Sequence, residues 1–240
     1  MANKRTEDST TDQRLPLSRR LWDWSRPVLI ILLIGMAFRS SIADWNDVPT
    51  GSMKPAIIEG DRIFVNKLAY GLCAPYTDWS LAEWSSPSRG DVVVFFNPRT
   101  QQRMVKRVIG LPGDTVEMKC NVVYINGKPA DYRVLKQAEV HDADVLLGGR
   151  RIFAEETFDG SSHIVMRTPG LSSKRSFKPV SLGPEDYFLL GDNRDNSSDS
   201  RYFGPVHKSL IRGKAVQIIF SLDRANTFRP RANRFLHGLD

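Results

Sequence analysis

Most of the chain alternates short apolar runs with turn residues, but one run near its start differs in kind. Residues 27–38 carry no charge at twelve consecutive positions. A helix that crosses a bilayer wants about twenty apolar residues. Trp22 and Trp24 stand before the run and Trp45 after it, placed as aromatic belts are. At ~1.5 Å per residue, a helix from Trp24 to Trp45 covers about 30 Å, one hydrocarbon core. Arg26 and Arg39 then snorkel to the headgroups. A cleaved signal peptide is the competing reading, because its apolar length fits and Ser41-Ile42-Ala43 offers a small-x-small site. Residues 1–20 are polar, hold Lys4, Arg5, Arg14, Arg19 and Arg20, and read as a basic, disordered arm. Basic residues crowd the near side of the apolar run, with Arg39 and Lys54 alone close behind it. The positive-inside bias then predicts a cytoplasmic N-terminus, with residues after 45 outside.

Beyond Trp45 the pattern is that of strands. Short apolar runs bounded by Gly, Pro, Asn and Asp recur. They predict strands at 62–66, 91–96, 104–109, 115–118, 122–125, 152–154, 164–167, 187–190 and 215–220. Gly60-Asp61, Gly90-Asp91, Pro112-Gly113-Asp114 and Asn126-Gly127 mark turns, the last a strong hairpin signal. Helical periodicity is weak here, and residues 68–70 and 79–84 suit short helical turns. Many short strands with Gly and Pro turns predict a mainly β, largely antiparallel fold. Residues 128–183 are more polar and irregular than their flanks. The expected organisation is an arm at 1–24, an anchor at 25–45, a β-core from 46–127 and 184–240, and an inserted subdomain at 128–183.

Composition narrows the partners. The 240 residues hold 34 Lys+Arg against 27 Asp+Glu, a net charge of +7. A basic balance suits anionic lipid or nucleic acid. With no zinc finger, RNP motif or dense basic run, a membrane surface is the better candidate and nucleic acid is set aside. Cys73 and Cys120 are spaced neither as a metal knuckle nor as a redox CxxC. One disulfide and two free thiols both remain open.

Three segments can carry chemistry. The first is Val48-Pro49-Thr50-Gly51-Ser52-Met53-Lys54-Pro55, which can present the Ser52 hydroxyl at a bend behind a Pro-fixed extended segment. A serine hydroxyl is a poor nucleophile until a base takes its proton. An ordinary Ser-Gly turn is the plainer reading. The second is Met104-Val105-Lys106-Arg107-Val108. As a strand it places Lys106 on the face of Met104 and Val108, with Arg107 pointing the other way. If that face is inward, desolvation lowers the amine's pKa and fits it to act as a general base. A solvent-exposed lysine is the commoner fate, and a strand of this kind is not expected to hide both basic residues.

The third segment is Gly191-Asp192-Asn193-Arg194-Asp195-Asn196-Ser197-Ser198-Asp199-Ser200-Arg201. It is dense in side chains that bond back to backbone. Asp192, Asp195 and Asp199 can pair with Arg194 and Arg201 within it. A calcium loop fails, since Arg194 takes a ligand position and Ser197 the required glycine. A rigid polar platform that orients catalytic groups is the remaining functional reading, with Ser197 suited to bond an active-site amine. A Ser–His–Asp triad is possible on paper, but none of His141, His163, His207 and His237 sits in a motif-like setting.

VPTGSMKP, EGDRIFVNKLAYG, RGDVVVF, VKRVIGLPGD and GDNRDNSSDSRYFGPV, in that order, resemble the boxes of the bacterial type I signal peptidases. The resemblance runs over 48–221, with a gap across 128–183. It implies two antiparallel β-sheet domains behind an N-terminal transmembrane helix, the second domain inserted after the lysine strand. It implies Ser52 as nucleophile and Lys106 as general base. Ser197 matches the serine that orients the amine, and Thr50 with the Ser52 N–H matches the oxyanion hole. Asp199 and Arg201 match a supporting ion pair. Val48, Pro49, Met53, Ile57 and Val105 match the lining of small S1 and S3 pockets that select Ala-x-Ala sequences. Thr50 stands where many members carry serine, and the anchor is one segment where some have two. The implied enzyme is a monomer in the bacterial inner membrane that takes signal-peptide-bearing preproteins at the outer face, with neither metal nor cofactor. A dedicated processing peptidase of the conjugation-pilin type and an inactive membrane-tethered binding relative are the alternatives. A self-cleaving repressor relative would need a DNA-binding domain where the apolar run lies.

Overall fold

The computed structural model describes residues 22, 24–32, 35–36, 42–73, 79–136, 150–224 and 227–239. The basic arm, part of the 25–45 segment and His141 lie outside these residues. The molecule is built from antiparallel strands. A nine-stranded sheet runs Ala43–Asp47, Asp61–Asn66, Ile211–Asp223, Val92–Phe96, Arg103–Gly110, Asp186–Leu190, Val206–His207, with Arg229–Pro230 and His237–Gly238 also on the long strand Ile211–Asp223. A four-stranded sheet joins Phe177–Ser181, Thr115–Lys119, Val122–Ile125 and Lys128–Pro129. A three-stranded sheet joins Asp131–Leu135, Ile152–Phe158 and Ser161–Arg167.

The central strand Val92–Phe96 is apolar without alternation, the mark of a strand covered on both faces. Val92 and Val94 pack with Val48, Met53, Ile57, Ile63 and Ala215, while Val93 and Phe95 pack on the other side with Val108, Tyr187, Leu189 and Phe203. A third cluster joins Ile109, Phe188 and Leu190 of the large sheet to Val116, Met118 and Val123 of the four-stranded one. The sheets therefore share a core.

Pairing crosses the edge expected at residue 127. Thr115–Lys119, on the core side, pairs with Phe177–Ser181 on the other. Residues 79–84 are corrected from a helical turn to a hairpin arm, because Ser80–Glu83 pairs with Gly71–Cys73. The expected helix ending at Trp45 is also corrected. Residues 24–32 are helical, but Ala43–Asp47 is an edge strand paired with Asp61–Asn66, so Trp45 lies opposite Phe64. Among the described residues no helix is long and apolar enough to cross a membrane.

The strand Arg103–Gly110 overturns one expectation. Lys106 and Arg107 point to opposite faces, yet they are only 2% and 3% exposed. Each face of this strand has its own cover. Arg107 is tolerated because its fork is filled: Nε and Nη2 donate to Asp192 Oδ1 and Oδ2 at 3.0 and 2.9 Å, and Nη1 donates to the Gly90 carbonyl at 2.7 Å. Removing one partner of such a pair strands a buried charge. Asp192→Ala is therefore expected to cost about 3–5 kcal/mol. The double change Arg107→Met with Asp192→Leu is expected to recover most of it. Urea unfolding midpoints of the two variants check this.

Candidate active site

Ser52 sits in a single 3-10 turn, Gly51–Met53, entered from Thr50 in extended conformation. Val48 N–H donates to Asp61 O and Gly60 N–H to Val48 O, which closes the loop behind the turn. Met53 packs in the core, and Ser52 beside it is half-buried. Lys106 lies opposite Val93 on the neighbouring strand pair. Its Nζ is 2.7 Å from Ser52 Oγ and 2.8 Å from the Val105 carbonyl oxygen. The two residues are 54 positions apart in sequence.

Burial pushes the Lys106 amine down from 10.5 to about 8. Asp199 and Asp192 oppose that shift by their charge, and Arg201 adds to it. A neutral amine can accept the proton that a hydrogen-bonded hydroxyl gives up. The setting suits a base rather than an ion pair, for Lys106 makes no salt bridge among the described residues.

The segment after Gly191 wraps the serine turn. Asn193 N–H donates to Ser52 O at 3.1 Å, and Asn193 Nδ2 donates to Gly51 O at 2.9 Å. Gly191 has no room for a side chain, since a Cβ there would lie 2.2 Å from Ser197 Oγ and 2.5 Å from Ser52 O. Asp199 accepts from Arg201 Nε and Nη2, both at 2.8 Å, and from Gly191 N–H at 3.1 Å. It also caps the short helix Ser200–Phe203 by accepting from Arg201 N–H.

The remaining expected site residues are placed as follows. Thr50 is exposed, and its side chain makes no capping bond. Val48, Met53 and Ile57 share one core cluster against which Val105 packs, whereas Pro49 is exposed. The Ser197 hydroxyl is buried and makes no hydrogen bond among the described residues, so it is not bonded to Lys106. The loop's charges pair outward more than inward: Arg194 with Glu156, Asp192 with Arg107 and Asp195 with Arg175, leaving Asp199 with Arg201 as the internal pair. His163 is buried with Nε2 3.1 Å from Glu156, and His207 lies 3.1 Å from Glu185. Cys120 is exposed and free. Among the described residues no cluster of His, Cys, Asp and Glu could hold a metal ion.

Asn193, Gly191 and Glu156 have no assignable role in the sequence. The first two lie within a quoted motif, and their part in the site needs the fold to be seen. Glu156 carries no local signal at all, because its partner Arg194 is 38 residues away.

The family model described as signal peptidase, peptidase S26, matches residues 21–220. The chain belongs to that family. Among its relatives, signal peptidase I of Pseudomonas aeruginosa is 36% identical over 207 residues, covering 81% of this chain and 70% of that protein. Signal peptidase I of Buchnera aphidicola is 31% identical, covering 87% and 77%. Signal peptidase I P of Bacillus subtilis subsp. natto is 33% identical, covering 84% and 90%. A crystal structure of a signal peptidase I from Enterococcus faecalis is 32% identical with a TM-score of 0.33, covering 54% of this chain and 97% of that one.

The amine's depressed pKa has a consequence for stability. The folded state binds the Lys106 proton less tightly than the unfolded chain does. Below pH 8 that difference costs on the order of 3 kcal/mol, and it vanishes as pH climbs past 10.5. Lys106→Met is expected to raise the melting temperature at pH 7. The gain should shrink as pH rises from 8 toward 10.5. Scanning calorimetry across that range checks it.

Proposed function

We propose that this signal peptidase family member is a serine endopeptidase that removes N-terminal signal peptides from exported preproteins. Ser52 is the nucleophile and Lys106 the general base. The observation that carries the reading is the 2.7 Å contact between Ser52 Oγ and a buried Lys106 Nζ whose pKa is held down to about 8. Serine–lysine pairs are a known variant of triad chemistry. The neutral amine takes the hydroxyl proton as Oγ attacks the scissile carbonyl carbon. The ammonium then gives that proton to the leaving amine, and an acyl ester remains on Ser52. Lys106 next takes a proton from water as its oxygen attacks the ester carbonyl carbon, and the ammonium returns that proton to Ser52 Oγ as the acyl–oxygen bond breaks, which releases the acid product and restores the neutral amine.

The Ser52 N–H and the exposed Thr50 hydroxyl are the proposed donors to the oxyanion, and losing one such donor costs about 10²–10³ in rate. Val48, Pro49, Met53, Ile57 and Val105 are the proposed walls of pockets for small side chains, which supports cleavage after Ala-x-Ala. Asp199 and Arg201 support the site from behind through the Gly191 backbone. The buried Ser197 hydroxyl has bonding capacity unused in the free enzyme, and it is available to the amine or to the attacking water.

The proposed setting is a bacterial inner membrane, with the N-terminus cytoplasmic, the body on the outer face and the enzyme a monomer. Helical residues 24–32 support an apolar anchor, because Val28, Leu29, Ile30, Ile31 and Leu32 are all exposed and so open to lipid.

The test uses protein in detergent and a precursor carrying an Ala-x-Ala signal peptide, with the product N-terminus read by mass spectrometry. Cleavage after the second alanine is expected from wild type. Ser52→Ala and Lys106→Ala, each folded, are expected to lose at least about 10³ in rate. Cleavage that survives either change would overturn the dyad.

A further inference from the structure

The three-stranded sheet is tied to the segment that wraps the serine turn by a buried ion pair and by main-chain hydrogen bonds. Glu156 lies on the strand Ile152–Phe158, and its carboxylate is completely buried. It receives both arms of the Arg194 guanidinium, Nη1 at 2.6 Å and Nη2 closer still, as well as the Tyr132 hydroxyl. Burial pushes this carboxyl up, but Arg194 and His163 outweigh that and hold it well below the usual carboxylate range. Arg194 is as deeply buried, and the same pairing keeps it charged.

From Arg194 the restraint passes into backbone. Arg194 Nε donates to Gly191 O at 3.2 Å. Arg194 N–H donates to Met166 O, and Met166 N–H donates to Asp192 O, both at 2.8 Å. Residues 191–194 are therefore fastened to the three-stranded sheet at both main chain and side chain. Between those fastenings stands Asn193, whose two donors hold the Gly51 and Ser52 carbonyls. Met166, Phe153 and Leu135 of that sheet also pack on Ile58, just beyond the serine turn.

An apolar pair of similar size would fill this space without the cost of desolvating two charges. What a bidentate pair adds is direction, because the guanidinium plane is fixed by the carboxylate. We propose that Glu156 is a positioning residue for the reaction: through Arg194 it fixes the Gly191–Asn193 backbone, and so holds Ser52 at hydrogen-bond distance from Lys106. The inserted unit is then part of the catalytic apparatus rather than an appendage. This rests on the Ser52–Lys106 reading.

The experiment compares steady-state cleavage of the Ala-x-Ala precursor by wild type, Ser52→Ala, the double variant Glu156→Leu with Arg194→Met, and Arg133→Ala. Arg133 pairs with the neighbouring Glu155 at an exposed position of the same sheet and serves as control. Melting curves establish the folded fraction of each, and rates are expressed per folded molecule. The double variant is expected to fold, because a matched apolar pair replaces the ion pair. Its kcat is expected to fall about 10–100-fold with KM within about twofold, the signature of a misplaced nucleophile. Arg133→Ala is expected to match wild type. A folded double variant with wild-type kcat would overturn the proposal, since the pair would then serve stability alone. Glu156→Asp keeps the charge but withdraws it by one methylene, and it carries the same test with the same two outcomes should the double variant fail to fold. Ser52→Ala separates the two levels: if it cleaves as well as wild type, the dyad itself fails and the positioning proposal with it.

Discussion

A lysine can serve as a base only after it has lost its own proton, and water is the medium in which it holds that proton best. Burial of Lys106 is therefore the constraint from which the rest of the site follows. Desolvation brings the amine down to about 8, and the Asp199 and Asp192 carboxylates would bring it back up if nothing countered them. Each is instead committed elsewhere, Asp199 to Arg201 and Asp192 to Arg107. Both carboxylates still act on the amine through space, but their hydrogen bonds are taken up by bidentate partners, and Arg201 also lowers the amine directly. The amine is left with Ser52 Oγ and one carbonyl as its neighbours.

That solution demands an interior rich in charge. Arg107, Asp192, Arg194, Glu156, Asp199 and Arg201 are all buried, and every one is paired. Pairs of this kind contribute little net stability, and breaking one is costly. Their common feature is location, for each has a partner in the segment 192–201. That segment meets the serine turn, the lysine strand and the three-stranded sheet at once. Ahead of its short helix the segment lacks regular structure for a physical reason, because backbone that bonds Ser52 and Met166 cannot also follow a ladder.

Local patterns are readable in the sequence. Alternation and turn residues mark nine strand segments, and the mainly β, antiparallel character follows from them. The run Val92-Val93-Val94-Phe95 fits a strand buried on both faces. Ser52 and Lys106 stand out through the ordered boxes around them, because a serine at a bend and a lysine on a strand are each ordinary when taken alone. Properties that depend on distant partners are not readable. Burial of Arg107 beside Lys106 depends on Asp192, 85 residues away, and Glu156 depends on Arg194. The pairing that spans residue 127 is hidden for the same reason. Thr115–Lys119 looks like any core strand until Phe177–Ser181 is found beside it. The arm Ser80–Glu83 suits a short helical turn in sequence, while its partner Gly71–Cys73 is a strand that only the fold brings beside it. Trp45 likewise reads as a membrane belt in sequence, yet its backbone belongs to the sheet edge.

The most direct measurement is the titration of the Lys106 amine itself. Protein labelled at lysine with carbon-13 would be followed by NMR through the Cε resonance, assigned by its absence in Lys106→Met, in a Ser52→Ala background where no turnover occurs. A midpoint near 8, well below the ordinary 10.5, is the predicted result. A midpoint near 10.5 would mean an ammonium at working pH, and a serine with no base beside it.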